Sequence, residues 1–279
     1  MVCPSCGSLV GVRDEKCYTC GRSNPGLWGF TPVLRQLGAD FGFVPMVIGV
    51  STTLYAATLL ITLFTTGRLQ PVGAGGFSLL PPSNYALRLF GMSGAIPVFA
   101  DGWWWTVLSA TWLHGSLLHI LFNMLWVRDL APALIDVIGV SRAIIIYVVA
   151  GICGFALSSV MPLVPLPIPI LHGATNTMGA SAAIFGMLGA LVHYGRVSGS
   201  RFIHAQALNY AIVLFVMALF LPGVDNTAHA GGFIGGYVTS AFFNPLTRER
   251  GDHMIAAVAC LFATLVAILY SVVHGLGIL

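Results

Sequence analysis

Charge is what this sequence has least of. Lys and Arg number 12 and Asp and Glu 9 among 279 residues, so 8% of the chain is charged. Soluble domains carry about 25%. That scarcity excludes an ordinary water-soluble globule. The net charge of +3 at pH 7 is explained by topological bias alone, so no nucleic-acid partner is expected. Asp, Glu, Lys and Arg are expected to avoid the middle of the apolar runs, which argues against a transporter or proton-conducting bundle. The first residues lack the basic-then-apolar profile of a cleavable signal peptide, so the first apolar run is expected to stay in the mature protein.

What is present is apolar. Hydrophobic residues make up 57% and the mean hydropathy is +0.90. Roughly 20 apolar residues cross a bilayer core. On that rule seven candidate spans run near 44–65, 116–138, 143–161, 179–194, 207–221, 226–243 and 254–273. Lys and Arg set the orientation. Arg13, Lys16, Arg22, Arg35, Arg128, Arg142, Arg196, Arg201, Arg248 and Arg250 fall on one side of alternating spans, and only Arg68 and Arg88 on the other. The positive-inside rule then expects a cytoplasmic N-terminus and an outer C-terminus. The expected location is integral to the lipid bilayer of a prokaryotic plasma membrane.

The N-terminus carries two C-x-x-C pairs, Cys3 with Cys6 and Cys17 with Cys20, each followed by glycine. Four thiolates at this spacing suit a closed tetrahedral zinc site. So short a stretch builds no hydrophobic core, so the metal would supply its folding energy. A redox dithiol or a disulfide pair is the alternative, disfavoured on a cytoplasmic face. Cys153 and Cys260 lie in apolar spans as ordinary core thiols. Residues 23–43 read as a linker broken by Gly26, Gly29, Pro25 and Pro32, with Trp28 and Phe30 as membrane-surface anchors.

Polar groups at membrane depth are costly unless paired, so each requires an explanation. Ser181 opens the fourth span and His229 the sixth. A serine nucleophile with a histidine base is the functional reading. His119 and Asn123 are four residues apart near the outer start of the second span and share one helix face. Both can donate hydrogen bonds to a developing oxyanion. The alternative is an interhelical hydrogen-bonded pair without catalysis. His114 is expected in the preceding loop with a structural role. The fourth span is short and preceded by Pro162, Pro165, Pro167 and Pro169, so its outer end is expected below the bilayer surface, with room for water. Gly179, Gly186 and Gly189 in the fourth span and Gly231, Gly232, Gly235 and Gly236 in the sixth let helix backbones approach closely. The long connection from Gly67 to Leu113 holds Trp103, Trp104, Trp105 and Trp112. With the 85–90 run it suits elements lying in the outer interface.

These motifs together, His114 to His119 to Asn123, Gly179-Ala180-Ser181, and Ala228-His229-Ala230-Gly231-Gly232 with Gly236, resemble those of the rhomboid intramembrane serine proteases over roughly 44–244. The resemblance implies an all-α polytopic bundle. Outside the resemblance, the zinc ribbon would occupy 1–22 and the linker 23–43. A six-helix core would follow at 44–244, and an extra transmembrane helix at 245–279. It implies Ser181 as nucleophile and His229 as base of a dyad, with no catalytic cofactor. His119, Asn123 and the Ser181 N–H would form the oxyanion site, and His114, Gly179, Gly232 and Gly236 structural positions. The substrates would be transmembrane proteins. A non-catalytic rhomboid-like protein that binds membrane clients is the alternative. Three positions depart from the family pattern. Ala182 replaces the glycine after the serine, the Trp-Arg pair of the first loop lacks its arginine, and Phe185 stands where tyrosine is common.

Overall fold

A computed structural model describes residues 3, 6–11, 13–25, 40–72, 78–165, 169–247 and 249–278. It divides into two units, Met1–Phe43 and Val44–Leu279. The expected linker positions Gly26, Trp28, Gly29, Phe30 and Pro32 lie outside the described residues, as do Arg35, Pro167 and Arg248.

The second unit is helical throughout its regular structure. Long helices are α1 (Phe43–Thr66), α4 (Leu117–Ile138), α5 (Val140–Val160), α6 (Ser181–Val197), α7 (Arg201–Leu219), α8 (Asn226–Phe242) and α9 (Gly251–Gly275). Two short helices, α2 (Asn84–Leu89) and α3 (Thr106–Ser109), punctuate the long first connection. Among the described residues the only β pairing is in isolated bridges. These seven long helices fall on the seven expected spans.

Four of them are long and apolar enough to cross a membrane unaided: α1, the α5 run Val140–Leu163, α7 and α9. The other three are shorter or carry charge. Arg128 and Asp129 fall midway along α4 as an exposed ion pair of 2.9 Å. The expectation of charge-free span centres is therefore corrected for α4. Its apolar burial is carried by Ile120, Met124 and Val127 before that point and resumes on one face with Leu130, Leu134 and Ile135. α6 and α8 have 17 residues each, about 25 Å of helix against a hydrocarbon core of about 30 Å.

α6 is the hub. Residues Ala182 to His193 are buried without interruption, the pattern of a helix surrounded by others. Its most extensive neighbour is α8, followed by α7, α5 and α4. α7 is peripheral and shows Phe202, Val213 and Met217 on its surface.

α9 is fastened to this bundle at both ends. Arg142, at the start of α5 and 1% exposed, donates to the carbonyls of Asn244 (3.0 Å) and Thr247 (2.9 Å) and to His253 Nδ1 (3.2 Å). Glu249 accepts from the Arg142 backbone N–H at 2.9 Å. At the other end, Trp105 Nε1 donates to Ser271 Oγ (3.0 Å), and the Trp105 ring meets Tyr270 edge-on at 4.5 Å. Arg88 of α2 pairs with Asp101 and sits 5.8 Å over the Trp103 ring. An arginine thus stands beside these tryptophans, supplied from another element.

Candidate functional site

Ser181 is the first residue of α6. The chain reaches it along 174–179, which pairs with the first connection. Ser93 and Thr177 exchange two backbone bonds (3.0 and 2.7 Å), and Ala95 and Ile96 donate to Ala174 and Thr175. Gly179 N–H donates to Ala110 O at 3.0 Å. Two glycines are required here. Gly94 has φ +128, and a Cβ there would lie 2.4 Å from Thr175 O. Gly179 has φ +127, and a Cβ there would lie 2.6 Å from His119 Nε2. An L-residue resists that backbone conformation as well as the clash. Ala180, at the N-cap, offers no capping side chain. The N–H groups of the first turn of α6 are therefore left pointing out of the helix start, with the positive end of its dipole.

His119 faces this helix start. Its Nδ1 accepts from Gly115 N–H at 3.3 Å. A neutral imidazole with Nδ1 as acceptor carries its proton on Nε2. That Nε2 is the atom closest to the Cβ position of Gly179, so an N–H donor points toward the residues leading into Ser181. Ser116 caps α4 and accepts from the His119 backbone N–H (3.2 Å), which fixes the turn bearing the ring. Asn123 lies one turn deeper and is buried. Its amide donates to His119 O at 2.7 Å, and its Oδ1 has no partner. One amide hydrogen is spent on the helix and the second remains. His114 lies in the loop before α4, buried, its ring 5.1 Å from that of His119.

His229 is 5% exposed and lies in the first turn of α8. Its ring stacks on Phe185 at 4.3 Å and 16°. Phe185 stands one turn below Ser181 on the same face of α6. His229 Nδ1 is buried without a partner. Ser181 is half-buried. Helix packing thus brings Ser181 and His229 to the same end of the α6–α8 pair. Among the described residues the two side chains share no hydrogen bond.

The glycines of α8 explain the approach. A Cβ on Gly232 would lie 2.1 Å from Ala182 O, and one on Gly236 2.0 Å from Gly186 O. Gly231 and Gly235 instead face α5, at 2.9 Å from Cys153 O and 2.6 Å from Cys153 Cβ. Each interleaved four-residue repeat serves a different neighbour.

A groove of about 350 Å³ runs between α7 and α8 and reaches His229. Phe185, Leu208, Phe215 and Phe233 are among its walls. Its lining is otherwise apolar.

Asp225 is a site neighbour that the motif reading missed. It caps α8 by accepting from Ala228 N–H (3.0 Å) and takes a short hydrogen bond from Ser158 Oγ of α5. An Asp just before a helical run is a cap signal, and that signal was present in the sequence.

The first unit brings the Sγ atoms of Cys3, Cys6, Cys17 and Cys20 within 4.8 Å of one another. Cys3 and Cys20 are 3.8 Å apart and Cys6 and Cys17 3.6 Å. Tetrahedral ligands at about 2.3 Å from a zinc ion stand about 3.8 Å apart, so the cluster fits such a metal. Its two halves repeat one turn. Gly7 N–H donates to Cys3 O (2.9 Å) and Gly21 N–H to Cys17 O (2.8 Å), with φ of 79° and 70° at the glycines. Hydrogen bonds from the side chain and backbone of Ser8 draw the Cys6 thiol down to about 6. The Cys20 thiol goes the other way. Against a backbone bond at Arg22 that lowers it, the neighbouring Cys6, burial, Cys17 and Cys3 push it up to about 12. Cys6 rather than Cys20 is therefore poised as the thiolate a metal needs.

A bundle of membrane-spanning helices with a serine at a bare helix start and a histidine on the helix packed against it defines a polytopic membrane protein with an internal polar site. Residues 101–246, more than half of the chain, match the Rhomboid domain, and the chain belongs to the rhomboid family. It is 32% identical over 182 residues to Rhomboid protease GluP of Bacillus subtilis (strain 168), covering 64% of this chain and 34% of GluP. It is 31% identical over 211 residues to RHOMBOID-like protein 5 of Arabidopsis thaliana, covering 70% of this chain and 65% of that protein. Putative rhomboid protease YdcA of Bacillus subtilis (strain 168) is 27% identical over 179 residues, covering 62% of this chain and 84% of YdcA. The chain therefore spans about a third of GluP and about two thirds of RHOMBOID-like protein 5.

Proposed function

We propose that this chain is a serine endopeptidase that hydrolyses peptide bonds in or near transmembrane segments of other membrane proteins. The observation that carries the reading is the backbone-on-backbone crossing of α6 and α8 at Ala182 and Gly232, one residue from Ser181 and three from His229. No charge is needed to hold that crossing, so the polar pair beside it calls for another purpose.

Ser181 Oγ adds to the carbonyl carbon of the scissile bond while His229 takes its proton. The oxyanion is met by His119 Nε2–H, the second Asn123 amide hydrogen and the Ser181 N–H, which the helix dipole favours. Collapse breaks the C–N bond, and the leaving amine takes the proton from His229. A water then adds to the acyl-enzyme, giving its proton to His229; collapse breaks the ester C–O bond, His229 returns that proton to Ser181 Oγ, and the acid product leaves. A dyad without a buried acid requires the histidine to be held by packing. The Phe185 stack supports that role. The shortness of α6 favours a recessed, wetted site.

The ribbon ligands Cys3, Cys6, Cys17 and Cys20 would hold zinc in a structural role, with no part in hydrolysis. The Lys and Arg distribution supports an orientation with the ribbon in the cytoplasm and the Ser181 end of α6 toward the outside.

The test is cleavage of a generic transmembrane substrate by purified protein in detergent. Wild type should cleave and Ser181→Ala should not. Absence of cleavage by folded wild type, together with retention of the substrate in a stable complex, would favour the client-binding reading instead.

A further inference from the structure

We propose that Asp225 is a positioning residue for His229, acting through Ser158. The inference rests on the protease reading above and adds a residue to it.

The side chain of Asp225 joins two helices. One oxygen accepts the N–H of Ala228 in the first turn of α8. The other accepts from Ser158 Oγ, a fully buried hydroxyl near the end of α5. The backbone carbonyl of Asp225 accepts the N–H of His229 itself at 3.2 Å. The residue bonded to α5 is therefore the one on which the histidine turn is built.

The same point is tied to the segment leading into Ser181. Ser158 O accepts from Ala174 N–H (3.2 Å), and Thr227 Oγ1 accepts from Gly173 N–H (3.0 Å). Gly173 has φ +73, and a Cβ there would lie 2.3 Å from Ser158 O. Ser158 thus receives the Ser181 side through its carbonyl and holds the His229 side through its hydroxyl. α8 needs such a tie. Its far end is tied to α6 by His193 with Ser240 (2.9 Å) and Arg196 with Tyr237 (3.1 Å), but at the His229 end its glycines meet α6 and α5 through backbone, without interlocking side chains. A carboxylate bridge to a buried hydroxyl holds the His229 end against α5.

A displacement of about 1 Å at a reacting group costs on the order of 10²-fold in rate. Asp225→Ala and Ser158→Ala should each lower kcat by about 10–100-fold with KM changed less than about threefold. The double variant should be no worse than the poorer single one, because both remove one bridge. Asp225→Asn keeps an acceptor for Ala228 N–H and can donate to Ser158 Oγ, so it should recover most of the rate. A capping role alone would lower the unfolding midpoint, yet leave kcat per folded molecule unchanged. Wild-type kcat in both single variants, or additive losses, would overturn the proposal. If wild type itself is inactive, the protease reading fails separately. The His229 ring can then be followed by NMR of protein labelled at histidine nitrogen. Its shifts should move in Asp225→Ala and return in Asp225→Asn; unmoved shifts in Asp225→Ala would equally overturn the proposal.

Discussion

The imidazole of His229 lies flat on the ring of Phe185, with centroids 4.3 Å apart and planes 16° from parallel. Phe185 is 4% exposed and also meets Phe215 edge-on at 6.4 Å. The stack restricts rotation of the histidine ring without consuming either nitrogen. Aromatic pairs of this kind contribute about 0.5–1.5 kcal/mol beyond area burial. Phe185→Leu keeps the volume roughly filled but removes the flat face. It should lower kcat by about 10-fold while KM moves little. Phe185→Tyr should keep at least wild-type orientation. Steady-state kinetics on a transmembrane substrate reads both.

The His119 tautomer makes a prediction of its own. Gly115 N–H occupies Nδ1, which leaves Nε2–H as the donor at the start of α6. Loss of one oxyanion donor costs about 10²–10³-fold in turnover. His119→Ala and Asn123→Ala should each show a loss of that order in kcat, with helical content by circular dichroism unchanged. Wild-type turnover in both variants would exclude the role.

The glycine faces are testable by single methyl groups. Gly232→Ala and Gly236→Ala place a carbon about 2 Å from backbone oxygens of α6, which cannot rotate away. Overpacking of this kind costs about 1–3 kcal/mol. Both variants should lower the thermal midpoint in detergent and reduce Ser181-dependent cleavage together. Gly49→Ala in α1 is the control. A Cβ there meets nothing within 4 Å, and alanine favours a helix by about 0.5–1 kcal/mol. It should leave activity unchanged and stability equal or higher.

Much of this was readable from the chain, for definite reasons. Hydropathy located the seven helices because each carries an apolar run, continuous in α1, α5, α7 and α9 and broken by Arg128 and Asp129 in α4. The positions of Ser181 and His229 stood out because a polar atom in such a run is rare. The division of labour among Gly231, Gly232, Gly235 and Gly236 was not readable. Two small-residue repeats offset by one residue announce close packing but do not say which neighbour takes which face. Asp225 shows only a cap signal along the chain, since its partner Ser158 lies on another helix. Along the chain Arg142 shows only as a topological charge. Its partners around Asn244 and Glu249 are joined to it by the fold, and no periodicity connects them.

That arginine supports a further prediction. Arg142 is nearly inaccessible and spends its guanidinium on two carbonyls and His253. Arg142→Ala strands those carbonyls, while the backbone N–H that Glu249 accepts is kept. Leaving buried acceptors unsatisfied costs about 1–3 kcal/mol each. The variant should lose several degrees of thermal midpoint and expose the 244–250 connection to protease. Arg142→Lys should recover little, because a single ammonium cannot reproduce the forked geometry. Limited proteolysis followed by mass mapping of the new terminus checks the site of opening.

The cysteine unit should be separable from catalysis. Its Sγ···Sγ separations of 3.8 and 3.6 Å match tetrahedral thiolate ligation, and its few buried residues, Cys3, Val10 and Cys17, form too small a core to fold without a metal. Purified protein should carry one zinc per chain by elemental mass spectrometry, and Cys3→Ser with Cys20→Ser should abolish it. A strong chelator should unfold this unit alone, seen as new proteolytic sites before residue 26. Cleavage of the transmembrane substrate should persist after chelation, and after deletion of residues 1–22, within about threefold of the intact protein. The deletion keeps every residue of α4, α6 and α8, and the proposed chemistry calls on no metal. Loss of turnover on chelation with the helices still folded, restored by adding zinc back, would assign the ribbon a part in activity and refute its separation.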